Sequence, residues 1–141
     1  MFEQKYEDRL INWSDLRQRL ETSVNPYQEV NDFYNNAPYV SIHVDPWNQS
    51  SWPTPWELLF ENQYCEFSCV LGQCYSLQLT DRFKGHDFEI HIGIDNKKSE
   101  TYYLLIINKT TIIGWNDPSV DYDALPKTYI PQRIYSMPPL Q

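Results

Sequence analysis

Apolar residues near the start of the chain recur at three- and four-residue steps: Tyr6, Leu10, Trp13, Leu16 and Leu20. This period lines one face of a helix and predicts one over residues 5–22. Glu7, Asp8, Arg9, Arg17 and Arg19 fall on its flanks and wet side. Residues 23–26 interrupt the pattern, and Asn25-Pro26 reads as an N-cap with proline at the first helical position. A short second helix should bury Tyr27, Val30 and Phe33 or Tyr34, and Asn35-Asn36-Ala37-Pro38 stops it. Residues 39–44 alternate and favour an extended segment. Thr54-Pro55-Trp56-Glu57 has the spacing of a capping box, so a helix starts there and carries Trp56, Leu58, Leu59 and Phe60. The pattern leaves open whether it breaks at Asn62-Gln63 or runs on through Cys65. Beyond Cys65 the helical period returns, with Phe67, Val70, Leu71, Cys74, Leu77 and Leu79 on the buried side.

Residues 88–94 alternate as a half-buried strand does. Residues 101–107 are apolar on both faces, which suits a central strand. A tight turn at 108–110 leads into a third strand at 111–115. This is a three-stranded antiparallel meander with the long helix on one face. The tail holds Pro118, Pro126, Pro131, Pro138 and Pro139, which rule out a regular helix and make a poor inner strand. Its apolar residues are too many for a disordered tail. The expected architecture is α+β: one domain over 1–117 with a small sheet of three to four strands. Residues 118–141 form an extended arm packed on the domain or on a neighbouring subunit.

The 141 residues carry a formal charge of −8, from 19 acidic and 11 basic side chains. That balance argues against a nucleic-acid backbone or an anionic membrane as partner. The first residues hold neither an apolar signal core nor an Arg-rich transit pattern, and no apolar run approaches the roughly 18–20 residues of a membrane span. A reducing, cytoplasmic setting during synthesis follows as an expectation. Cys65, Cys69 and Cys74 then read as thiols. The aromatic content, 16%, is high.

Three chemistries are weighed on this frame. A thiol at a helix N-terminus followed by a His and an acid from strands could form a nucleophilic relay, here Cys65, His86 and Asp117. The run WPTPWELLFENQYCEF, then HDFEIHI, then IIGWNDPS faintly resembles the core of transglutaminase-like cysteine hydrolases. That resemblance implies Cys65 as nucleophile, His86 as base and Asp117 as orienter. Two departures stand against it: Gln63-Tyr64 replaces the small residue usual before the nucleophile, and Asp87 follows the histidine. Cys65 and Cys69 with His86 and His91 have a zinc-like order, but the cysteines fall on a core helix and the histidines on opposite strand faces, so no metal and no cofactor is expected. Trp47, Trp52 and Trp56 on a proline-stiffened stretch suit roofing of the core or contact with a protein better than a sugar platform.

The segments WPTPWELLFENQYCEF, YSLQLTDRF and FEIHI resemble those of small proteins of tailed phages of marine cyanobacteria. The resemblance implies a virion structural or assembly role in a neck, tail or baseplate, with other virion proteins or copies of itself as partners in an oligomeric assembly. The residues expected to make those contacts are Trp47, Trp52 and Trp56 in the loop, and Tyr129, Ile130, Tyr135, Met137 and Leu140 in the arm. The alternatives are the cysteine hydrolase or transferase and a small acidic inhibitor of a host protein.

Overall fold

The computed structural model describes residues 2–40, 44–116 and 119–140. Four helices, α1 (Tyr6–Thr22), α2 (Pro26–Asn35), α3 (Pro55–Glu61) and α4 (Glu66–Gln78), precede five strands. The strands are β1 (Phe88–Asp95), β2 (Glu100–Ile107), β3 (Thr111–Ile113), β4 (Val120–Asp121) and β5 (Tyr129–Met137). They form one antiparallel sheet in the order β4-β3-β2-β1-β5. The fold is α+β as expected, with five strands rather than three or four. Residues 41–43, within the predicted extended segment, lie outside the described residues. Tyr39 beside them forms a parallel bridge with Tyr64.

Local signals place the helix boundaries. Asn25 accepts from Gln28 N–H at 3.3 Å, and Pro26 opens α2. Thr54 and Glu57 close the capping box at 3.2 and 3.0 Å. α3 ends at Asn62, which adopts the left-handed conformation at φ 54°. The break predicted as one of two outcomes is therefore real, and Cys65 is the N-cap residue of α4.

Arg9, expected on the wet side of α1, is buried instead. Its guanidinium donates to the Leu59 and Phe60 carbonyls at 3.2 and 3.1 Å. Those are last-turn carbonyls of α3 with no partner of their own in a helix, and a cation is favoured there.

α4 is buried on all sides, not along one stripe: Ser68, Gln73, Ser76 and Gln78 are enclosed with Phe67, Leu71, Cys74 and Leu77. The sheet covers one side and α1 and α2 the other. Ser76 Oγ accepts from Trp13 Nε1 at 2.9 Å, sits 3.1 Å from the Tyr34 hydroxyl and donates to the Gly72 carbonyl at 2.8 Å. Gln73 donates to Asn31 Oδ1 at 2.9 Å.

The proline-bearing C-terminal segment is part of the sheet. β4 and β5 occupy opposite edges, so residues 122–128 must cross four inter-strand steps, about 19 Å. Seven residues can just span that distance, at about 3.3 Å each. The crossing lies on the face away from the helices, where Leu125 and Tyr129 pack with Trp115 over Leu104, Ile106 and Ile112. The Tyr129 ring rests against Gly93, where any side chain would collide with it. Pro131 falls where the β1–β5 register shifts, a position on an edge strand that needs no ladder donor.

A Cβ on Gly72 would lie 2.7 to 2.9 Å from the Tyr34 ring. That ring is fixed by Ser76 and by the neighbouring rings of Phe2, Phe33 and Tyr64. Alanine gains about 1 kcal/mol of helix propensity over glycine, while overpacking a rigid core costs about 1–3 kcal/mol. Gly72→Ala is therefore expected to lower stability in urea unfolding; a stabilised variant would mean that Tyr34 can move.

Candidate functional site

The break after α3 brings three pieces of chain around the N-terminus of α4. Cys65 donates its N–H to Ser68 Oγ at 2.7 Å, and the two side chains meet at 3.4 Å. The loop before α3 is held by Asp45, whose Oδ1 accepts from Trp47 N–H and whose carbonyl accepts from Trp52 Nε1, both at 2.9 Å. Trp52 in turn packs on Phe67 at 4.9 Å and on Tyr135 at 4.7 Å between ring centroids. Between this loop, α4 and β2 lies a cavity of about 360 Å³. Its walls include Tyr39, Trp47, Phe67 and Tyr103, with Asp45 and Glu66 as its charged lining residues. A second, more open groove continues from Tyr39, Glu66 and Tyr103 towards Asn31 and Gln73.

The structure does not bring the predicted relay together. α4 has 13 residues and is about 20 Å long. Cys65 is at its N-terminus, whereas His86 follows the turn at its other end and packs on Phe83 at 5.1 Å. Asp117 lies outside the described residues. No histidine is among the described residues lining the cavity. Burial pushes the Cys69 thiol up to about 12 and raises that of Cys74. Neither is available as a thiolate near neutral pH.

The zinc-like set is also dispersed. His91 lies on β1 opposite Leu104, on the sheet face away from Cys69, and no metal-binding cluster occurs among the described residues. His91 is buried, with Nε2 3.3 Å from Glu89 Oε1 and no partner for Nδ1. The bond to Glu89 puts the proton on Nε2.

Of the residues expected to meet partners, Tyr135 and Met137 are buried in the protein's own core, and Trp52 and Leu140 are half-buried against it. Tyr129 is half-buried in the strap. Trp56 stacks edge-on against Trp13 at 5.3 Å and joins Tyr6 and Phe60, apart from Trp47. Trp47 and Ile130 stay exposed. Ile134, which is not among the expected contacts, is also exposed on β5. The cavity itself left no sequence signal, since Tyr39, Trp47 and Tyr103 come from three separate elements.

Two outcomes follow. With His86 beyond the far end of α4, His86→Ala is expected to leave the rate of Cys65 alkylation by iodoacetamide at pH 7 unchanged; a clear fall in that rate would restore the relay. Burial lowers the His91 pKa below 6.5, more than its bond to Glu89 raises it. The unfolded chain then binds the extra proton as pH falls below about 6.5, so stability drops in that range. His91→Gln is expected to flatten that part of the stability–pH curve measured by urea unfolding.

Comparison with protein-family models, with curated proteins and with solved structures finds no match to this chain.

Proposed function

We propose that this protein is a structural or assembly component of a tailed-phage virion, at the neck, tail or baseplate, acting through protein–protein contacts. The observation that carries the reading is the junction of the Trp47 loop with β5. Arg133 lies over the Trp47 ring at 5.9 Å and over Tyr135 at 5.7 Å, so two stretches far apart in sequence form one surface. On that surface Trp47 is 51% exposed and Ile130 43%, while Ile134, 50% exposed, lies on the opposite face of β5. No strand lies beyond β5 among the described residues. An open edge bearing exposed β-branched residues is a template for strand addition, and a large half-exposed indole is a common interface anchor. The likeness of the Trp-rich and FEIHI segments to phage proteins supports the setting. In it, the partners are other virion proteins or further copies of this chain.

Deleting residues 118–141 would not separate docking from folding, because β5 pairs with β1 along its length and contributes Tyr135 and Met137 to the core. Point charges on the open edge make the better test. Mass spectrometry of purified virions is expected to find the protein in stoichiometric amounts. Ile130→Lys with Ile134→Lys is expected to keep the circular dichroism spectrum and lose incorporation. Absence of the wild-type protein from virions would overturn the proposal.

A further inference from the structure

The cavity at the start of α4 has a composition that selects one ligand chemistry. Tyr39, Trp47, Phe67 and Tyr103 come from the end of the α2 loop, the Asp45 loop, α4 and β2, yet converge on one space. The Phe67 and Tyr103 rings stand 81° apart with centroids 5.5 Å from each other, so two walls meet near a right angle. Asp45 and Glu66 are its charged lining residues, no Lys, Arg or His is among the described lining residues, and Arg133 reaches it only by stacking on the Trp47 ring. Glu66 is close enough to Tyr103 to help burial hold that phenol above its ordinary pKa.

We propose that this cavity binds a quaternary ammonium group, held against the aromatic walls with Asp45 and Glu66 at the rim.

An anion is disfavoured in spite of the helix N-terminus. Glu66 occupies the first helical position, where its carboxylate repels a second negative charge, and Cys65 N–H is taken by Ser68 Oγ. A primary ammonium brings three N–H donors that need acceptors, and both carboxylates are on exposed residues rather than in the depth of the space. A quaternary ammonium has no donors to satisfy, is attracted by ring faces and fits a space of about 360 Å³. The loop that would meet it is already rigid. Pro46 follows Asp45, the Asp45 carboxylate fixes Trp47, and Trp52 is wedged between Phe67 and Tyr135. Arg133 over the Trp47 ring at 5.9 Å is a cation already stacked on this indole. The head group could belong to a free trimethylammonium compound or to a trimethylated lysine of a protein.

Calorimetric titration of the full chain with choline, with its uncharged isostere 3,3-dimethylbutan-1-ol and with a trimethyl-lysine peptide tests this. Because Trp47 is half exposed, choline is expected to bind roughly two- to fivefold more tightly than the isostere. Trp47→Ala and Glu66→Gln, both at exposed residues, are expected to reduce that preference, and choline to slow alkylation of Cys65. Tighter binding of the peptide than of choline supports the site and names a protein as the source; equal binding supports it and names the free head group. Equal affinity for choline and the isostere, or no saturable binding of any of the three, overturns the proposal. Neither result depends on the virion reading, which stands or falls on incorporation.

Discussion

Past exposed Glu66, helix α4 is enclosed except at half-buried Cys69, so Ser68, Gln73, Ser76 and Gln78 have to find their partners inside the protein. Ser76 meets Trp13 and Tyr34, Gln73 meets Asn31, and Gln78 donates to the Met137 and Pro138 carbonyls at 3.4 and 3.0 Å. These bonds tie α1, α2 and the end of β5 to a single helix. An unpaired polar group in such a place costs about 1–3 kcal/mol, so the positions of the surrounding elements are fixed by chemistry as well as by packing. Gly72 permits the closest of these approaches, that of the Tyr34 ring.

The same burial dictates where the chain can present surface. With one sheet face sealed by α4, the other is left for residues 119–129, which cross it to reach β5. β5 then closes one edge of β1 and opens a new edge of its own. The longest strand edge left without a neighbour among the described residues is therefore made by a segment with prolines at 131, 138 and 139. Proline and a register shift are usual guards against uncontrolled edge pairing. Here they coexist with exposed Ile130 and Ile134, as expected for an edge that accepts a chosen partner rather than any strand.

The break between α3 and α4 has the opposite effect at the other end of the core. It withdraws Asn62 and Gln63 from helix and sets Cys65 at a helix start. It also opens the aromatic-walled space between the Asp45 loop and β2. His86 stands a helix length from the thiol, and the described walls of this space are rings with two carboxylates at their edge.

Much of the fold was legible from the chain alone. The α1 stripe, the Asn25-Pro26 cap, the Thr54–Glu57 box and the β1–β2–β3 meander all rest on contacts within a few residues or on strict periodicity, and local pattern suffices for these. Three things were decided only by tertiary structure. Arg9, expected on the flanks or wet side of α1, is buried, and so are Ser68, Gln73 and Ser76 outside the apolar stripe read for α4, because covering layers from distant segments enclose them. The proline-rich arm becomes β4 and β5, because the open edges of β3 and β1 offer hydrogen bonds that no local signal encodes. Cys65 and His86, close in sequence, are held about a helix length apart, because a rigid α4 lies between them. The sequence alone thus determined which elements form; long-range pairing decided which surfaces they leave to the outside.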